Sequence, residues 1–171
     1  MVTNYHVISE YVYNPDKFRI EYLAHDGSQG QLQLVDVDVV NDLALVRKVD
    51  LSEQENAFPI AKALPLQGSN IYSLGNPHDL GMIVVPGTFN GLKKSSFYQR
   101  IHFTGSINPG MSGGPVVNKL GEVILAASSV FPRQNTHSLH FLTCYKLGLR
   151  LSLNFLTYVC VLACEVGNSL H

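Results

Sequence analysis

Turn-forming residues recur so closely along this chain that, before about residue 140, no apolar stretch is long enough to make a large helix. The punctuation is His25-Asp26-Gly27-Ser28, Gly75-Asn76-Pro77, Pro86-Gly87 and Lys119-Leu120-Gly121. Gly admits left-handed backbone, Pro fixes φ, and Asn, Asp and Ser bond their own main chain, so such clusters end an element. Between them lie short runs rich in β-branched and aromatic residues, at 11–13, 18–23, 31–40, 43–49, 70–74, 82–85, 100–104, 115–118 and 122–126. These read as strands. Within 31–40 the apolar parity changes between Leu34 and Val35, which predicts a bulge or bend. Many short strands at close spacing predict an all-β chain, a barrel or a sandwich.

The 171 residues amount to about one domain's worth of chain, and 46% are hydrophobic against 15% charged, enough for a core. A net charge of −1 and the absence of a basic stripe exclude nucleic acid as the expected partner. All three cysteines, Cys144, Cys160 and Cys164, fall in the last 28 residues, so the body of the fold must hold by packing alone. Their odd number argues against a closed disulfide framework. Cys160 and Cys164 would share one face of a helix, where inert buried thiols are the expected reading over a metal or redox pair. No metal and no cofactor is expected. The start of the chain lacks the basic and apolar regions of a secretory signal. The most apolar stretch, 151–164, contains Asn154 and falls short of the roughly 20 residues that span a bilayer, so no membrane helix is expected. A Pro-flanked seam at 59–67 precedes the strand at 70–74. Beyond residue 145 the chain turns apolar and poor in turn signals, and periodicity leaves helix and strands equally open there.

One stretch carries chemistry. In SINPGMSGGPVVN, residues 106–118, the hydroxyl of Ser112 sits in a Gly-rich turn. A serine becomes nucleophilic when a His within hydrogen-bond reach takes its proton, and that His needs an orienting acid. The tetrahedral oxyanion then needs backbone N–H donors, for which Gly110 and Ser112 itself are candidates. Seven histidines compete for the base, and the residues alone leave His6 and His102 level. Among the acids, Asp42 opens the apolar segment NDLALV, where a partly buried carboxylate needs a partner. Asp36 and Asp38 read as a solvated strand face, and Glu53 and Glu55 as surface charge.

TNYHV, NDLALV and INPGMSGGPVVN, in that order, resemble the three signature segments of the trypsin-like serine peptidases, most closely the HtrA (Deg) type that lacks disulfides. The order His, Asp, Ser is that of the chymotrypsin template. YSLGNPHDLGMIVVPGTFNGL resembles the family's segment joining the Asp and Ser motifs, GEVILAASSVF resembles the strand following the nucleophile, and the likeness covers roughly residues 2–142. The resemblance implies His6 as general base and acid, Asp42 as its orienter, Ser112 as nucleophile, and Gly110 with Ser112 as the oxyanion hole. It implies two antiparallel β-barrels of the chymotrypsin fold, with residues 1–60 carrying His and Asp, 61–145 carrying Ser, and 146–171 an atypical apolar tail. The partner implied is a protein or peptide substrate, which would pair as an extended strand with residues near 137–142, among them Ser138, Leu139 and His140. Ser106 would lie near the base of the specificity pocket. An uncharged Ser there suits small or medium apolar side chains, whereas His137 or His140 nearby would suit an acidic one. The family likeness also admits a trimer.

The chain departs from this family in three ways. Only five residues precede His6, where the family has several strands, so the first barrel is expected to be incomplete. Met111 replaces the usual Asn or Asp before the nucleophile, and the expectation is that the backbone tolerates it. The segment after Leu142 does not continue the family pattern, and no PDZ-like segment follows. An inactive remnant that binds extended peptides is therefore the alternative reading. An α/β-hydrolase esterase is disfavoured, because that fold places Ser before the acid and His.

Overall fold

The strands follow the burial alternation of their sequences. In the fifth of them, Ile71, Ser73 and Gly75 are buried while Tyr72 and Leu74 are half-buried on the other face, the two-residue period that pleating imposes. The structure, a computed structural model of the chain, describes residues 1–24, 26–49, 57–77, 81–92, 100–127, 140–143 and 160–165.

These residues form two antiparallel sheets. The first contains β1 (Val2–Thr3), β2 (Phe18–Leu23), β3 (Gln29–Asp38), β4 (Leu43–Lys48) and β11 (Cys160–Glu165), in the order β1-β4-β3-β2-β11. The second contains β5 (Asn70–Gly75), β6 (Ile83–Leu92), β7 (Arg100–Thr104), β8 (Pro115–Asn118), β9 (Val123–Ala126) and β10 (His140–Thr143), in the order β10-β7-β6-β5-β8-β9. Ile20, Leu32, Ala44 and Val46 form the core of the first, joined by Met1 and Ile8. Phe103, Ile71, Ile101, Met111 and Val116, all essentially without exposure, lead the core of the second.

The two closed barrels that the family likeness implies do not form. Each sheet is open: no ladder joins β1 to β11, or β10 to β9, among the described residues. Closure requires a backbone ladder between the first and last strands of the order, and here those strands pair on one side only. The chain is all-β with two open sheets.

Other expectations resolve element by element. The bulge expected in 31–40 is present, with the β3–β4 register shifting between Leu34 and Asp36. The strand expected at 82–85 is longer, running to Leu92. The strand expected at 11–13 is instead the end of a helix, α1 (Tyr5–Tyr13). Ile8 is fully buried, and Val7, Tyr11 and Val12 pack on the same cluster, which is one face of a helix rather than alternate positions of a strand. Pro15 disfavours helical backbone at Asn14, whose N–H closes the last turn on Glu10 O at 2.9 Å. In the tail, Cys160 and Cys164 lie on a strand, not a helix, and β11 pairs antiparallel with β2 from Cys160↔Leu23 to Glu165↔Phe18. No helix among the described residues is long and apolar enough to cross a membrane.

Candidate active site

Three segments meet at one place: the start of α1, the turn between β3 and β4, and the Gly-rich loop between β7 and β8. The β3–β4 turn is built by Asp38, whose carboxylate accepts from the Asn41 N–H at 2.9 Å and from the Asn41 side-chain amide. The next residue, Asp42, has φ +51°, a left-handed conformation that Asp tolerates better than bulkier residues. This brings its carboxylate to the N-terminus of α1.

His6 is the second residue of that helix. Its backbone N–H, one of the donors that a helix start leaves without an intrahelical partner, bonds Asp42 Oδ1 at 2.9 Å. Its ring Nδ1 lies 2.8 Å from Asp42 Oδ2 and 3.0 Å from Oδ1. The carboxylate therefore caps the helix and holds the imidazole at once. Both side chains are partly screened, at 33% and 23% exposure. Facing a carboxylate, Nδ1 must carry the proton, which leaves Nε2 of the neutral ring as the basic nitrogen. The preceding residue in the chain, Tyr5, ionises above its ordinary range, first because it shares a hydrogen bond with Tyr13 and then through desolvation.

The serine loop is pinned from below. Met111 is fully buried in the second core, and its backbone lies so close to β5 that a Cβ on Gly75 would come within 2.9 Å of Met111 Cα. The residue that departs from the family pattern is thus the loop's apolar anchor. Within the turn, Met111 N–H bonds Asn108 O and Gly114 N–H bonds Met111 O, both at 3.1 Å. Gly110 and Gly113 take φ +93° and +81°. Gly113 N–H reaches Ala127 O at 2.8 Å, and Ala127 N–H returns to Gly114 O at 2.7 Å.

The same Gly113 N–H also bonds Asn4 Oδ1 at 2.6 Å, while Asn4 Nδ2 donates to Asp42 O at 2.9 Å. A Cβ on Gly113 would run into Thr3 Oγ1 and the Asn4 backbone. The residue following Ser112 is therefore packed against the residues just before His6. Ser112 itself is half-buried, and Gly110 is exposed at the turn.

Of the other expected positions, Ser106 is exposed just beyond β7, and His140 opens β10 in register with Phe103. Ser138 and Leu139 lie outside the described residues. His102, level with His6 on sequence, stands in β7 opposite Phe141. Asn4 and Thr3, both buried, were not among the expected site residues. The available signal was an Asn directly before the helical face Val7, Ile8, Tyr11, Val12, which marks a helix start.

A model of the trypsin-like peptidase domain matches residues 1–124. Serine endoprotease DegS of Escherichia coli strain K12 is 30% identical over 141 residues, covering 79% of this chain and 38% of the relative. Protease Do-like 8, chloroplastic, of Arabidopsis thaliana is 32% identical over 147 residues, covering 72% and 31%. A probable periplasmic serine endoprotease DegP-like of Chlamydia trachomatis is 32% identical over 130 residues, covering 72% and 24%. The solved structure of a serine endoprotease from Yersinia pestis superposes with a TM-score of 0.68 at 28% identity, over 84% of this chain and 48% of that one. The chain spans less than half the length of each of these proteins.

Proposed function

Because the chain belongs to the trypsin-like peptidase family and is related to DegS and DegP, we propose that it is a serine endopeptidase cutting protein or peptide substrates through an acyl-enzyme. The observation that carries the reading is the His6 Nδ1 to Asp42 Oδ2 contact of 2.8 Å, made by a carboxylate that also accepts from the His6 backbone N–H.

In this mechanism Ser112 Oγ attacks the scissile carbonyl as His6 Nε2 takes its proton. Asp42 keeps Nδ1–H in place and stabilises the imidazolium that forms. The N–H groups of Gly110 and Ser112 receive the oxyanion, and positive φ at Gly110 suits a backbone that must approach the substrate closely. His6 then returns the proton to the leaving amine. Water repeats the sequence on the acyl-enzyme and releases Ser112. The substrate would add as a strand beside β10, which among the described residues ends its sheet with β7 on one side. Ser138, Leu139 and His140 would line it, with Ser106 toward the specificity pocket.

A fluorophosphonate probe tests this directly, since it reacts with an activated serine and needs no known substrate. Labelling of the folded chain is expected, with loss in Ser112→Ala and in His6→Ala. Absence of labelling in folded wild-type protein, or labelling that survives Ser112→Ala, would overturn it. Peptide binding indifferent to Ser112→Ala, without turnover, would instead identify a binding remnant.

A further inference from the structure

We propose that Asn4 is a positioning residue that sets the serine loop against the His6–Asp42 pair. The inference rests on the endopeptidase reading and extends it to a residue outside the triad. Asn4 stands at the N-cap of α1, where an Asn side chain ordinarily accepts from the second or third N–H of its own helix. Here it makes no such bond. At 1% exposure, its amide is spent elsewhere. Nδ2 donates to Asp42 O at 2.9 Å, and Oδ1 accepts from Gly113 N–H at 2.6 Å.

The Asp42 carboxylate occupies the place the cap has left, through the His6 N–H at 2.9 Å. The exchange is specific: Asp42 caps the helix from the β3–β4 turn, which frees Asn4 to tie that turn to the residue after Ser112. An amide supplies a donor on one side and an acceptor on the other, which a carboxylate of the same length does not. Rotated by half a turn it would set its oxygen against the Asp42 carbonyl and its NH₂ against the Gly113 N–H, so the orientation is fixed. A catalytic group displaced by about 1 Å costs on the order of 100-fold in rate. A link two residues from the base and one from the nucleophile acts on that spacing.

The test uses the full chain, with fluorophosphonate labelling rate and NMR of the His6 ring as separate readouts. Asn4→Ala is expected to slow labelling of folded protein roughly 10- to 100-fold, and to make the His6 Nδ1–H resonance exchange faster with water. Asn4→Asp nearly preserves shape and still accepts from Gly113, but it sets a second carboxylate beside Asp42 and His6, its ionisable neighbours. It is expected to label more slowly than wild type, since a carboxylate has no donor for Asp42 O. Wild-type labelling rates in both variants, with an unchanged His6 resonance, would overturn the proposal. So would a loss of thermal stability with no change in labelling per folded molecule. If wild-type protein does not label, the endopeptidase reading fails, and the ring resonance alone still decides whether Asn4 holds the pair.

Discussion

At the scale of single residues, Asp42 has two tasks that a substitution separates. Asp42→Asn retains the shape and an acceptor for the His6 N–H, but its amide no longer demands a proton on Nδ1. Without that demand the ring takes the wrong tautomer, a change that lowers turnover about 10⁴-fold in the chymotrypsin template. The expected result is near-complete loss of fluorophosphonate labelling with a Tm close to wild type. Asp42→Ala, by contrast, removes the helix cap as well, and should cost about 1 kcal/mol more in urea unfolding. The candidate positions His6, Asp42 and Ser112 were singled out by a resemblance in three short segments, and the structure brings His6 and Asp42 into contact. Asn4 was not, because its role depends on which partner its amide finds once Asp42 has taken over the cap, and that partner is 109 residues away.

Among the elements, the strands were the most legible, since alternation and turn residues are local. The β3 bulge was legible for the same reason: a parity change at Leu34–Val35 has to be absorbed where it occurs. The helix α1 was hidden by its β-branched and aromatic residues, which are enriched in strands. What decides its conformation is packing, as Ile8 is fully buried while its neighbours Val7, Tyr11 and Val12 cover the same core. Ile8→Ala should therefore cost about 2–5 kcal/mol in urea unfolding. It should also slow labelling, because His6 rides on the same helix. Leu120→Ala, at a position 72% exposed in the turn between β8 and β9, should stay within about 0.5 kcal/mol of wild type and label normally.

For the whole molecule, pairings between distant strands were beyond the reach of local pattern. Nothing in the stretch 160–165 announces that it will pair with 18–23, and barrel closure is likewise a property of sheet ends rather than of any one strand. The candidate site has the same non-local character. His6, on α1, and Asp42, in the β3–β4 turn, sit with the first sheet, whereas Ser112 lies in the loop between β7 and β8 of the second, and Asn4 to Gly113 crosses between them. Their cores are separate clusters. On heating, the crossing should open before either sheet melts, so the midpoint for loss of labelling should fall several degrees below the β-sheet midpoint seen by circular dichroism. Coincident midpoints would mean the two sheets unfold as one unit. The carboxylate at position 42 has a consequence of another kind. A lineage under pressure only to survive heat would keep an acid there to finish the helix, even after it had ceased to cut anything. Among descendants of such a chain, an intact Asp42 is therefore poor testimony to living chemistry, and the serine is the residue to question.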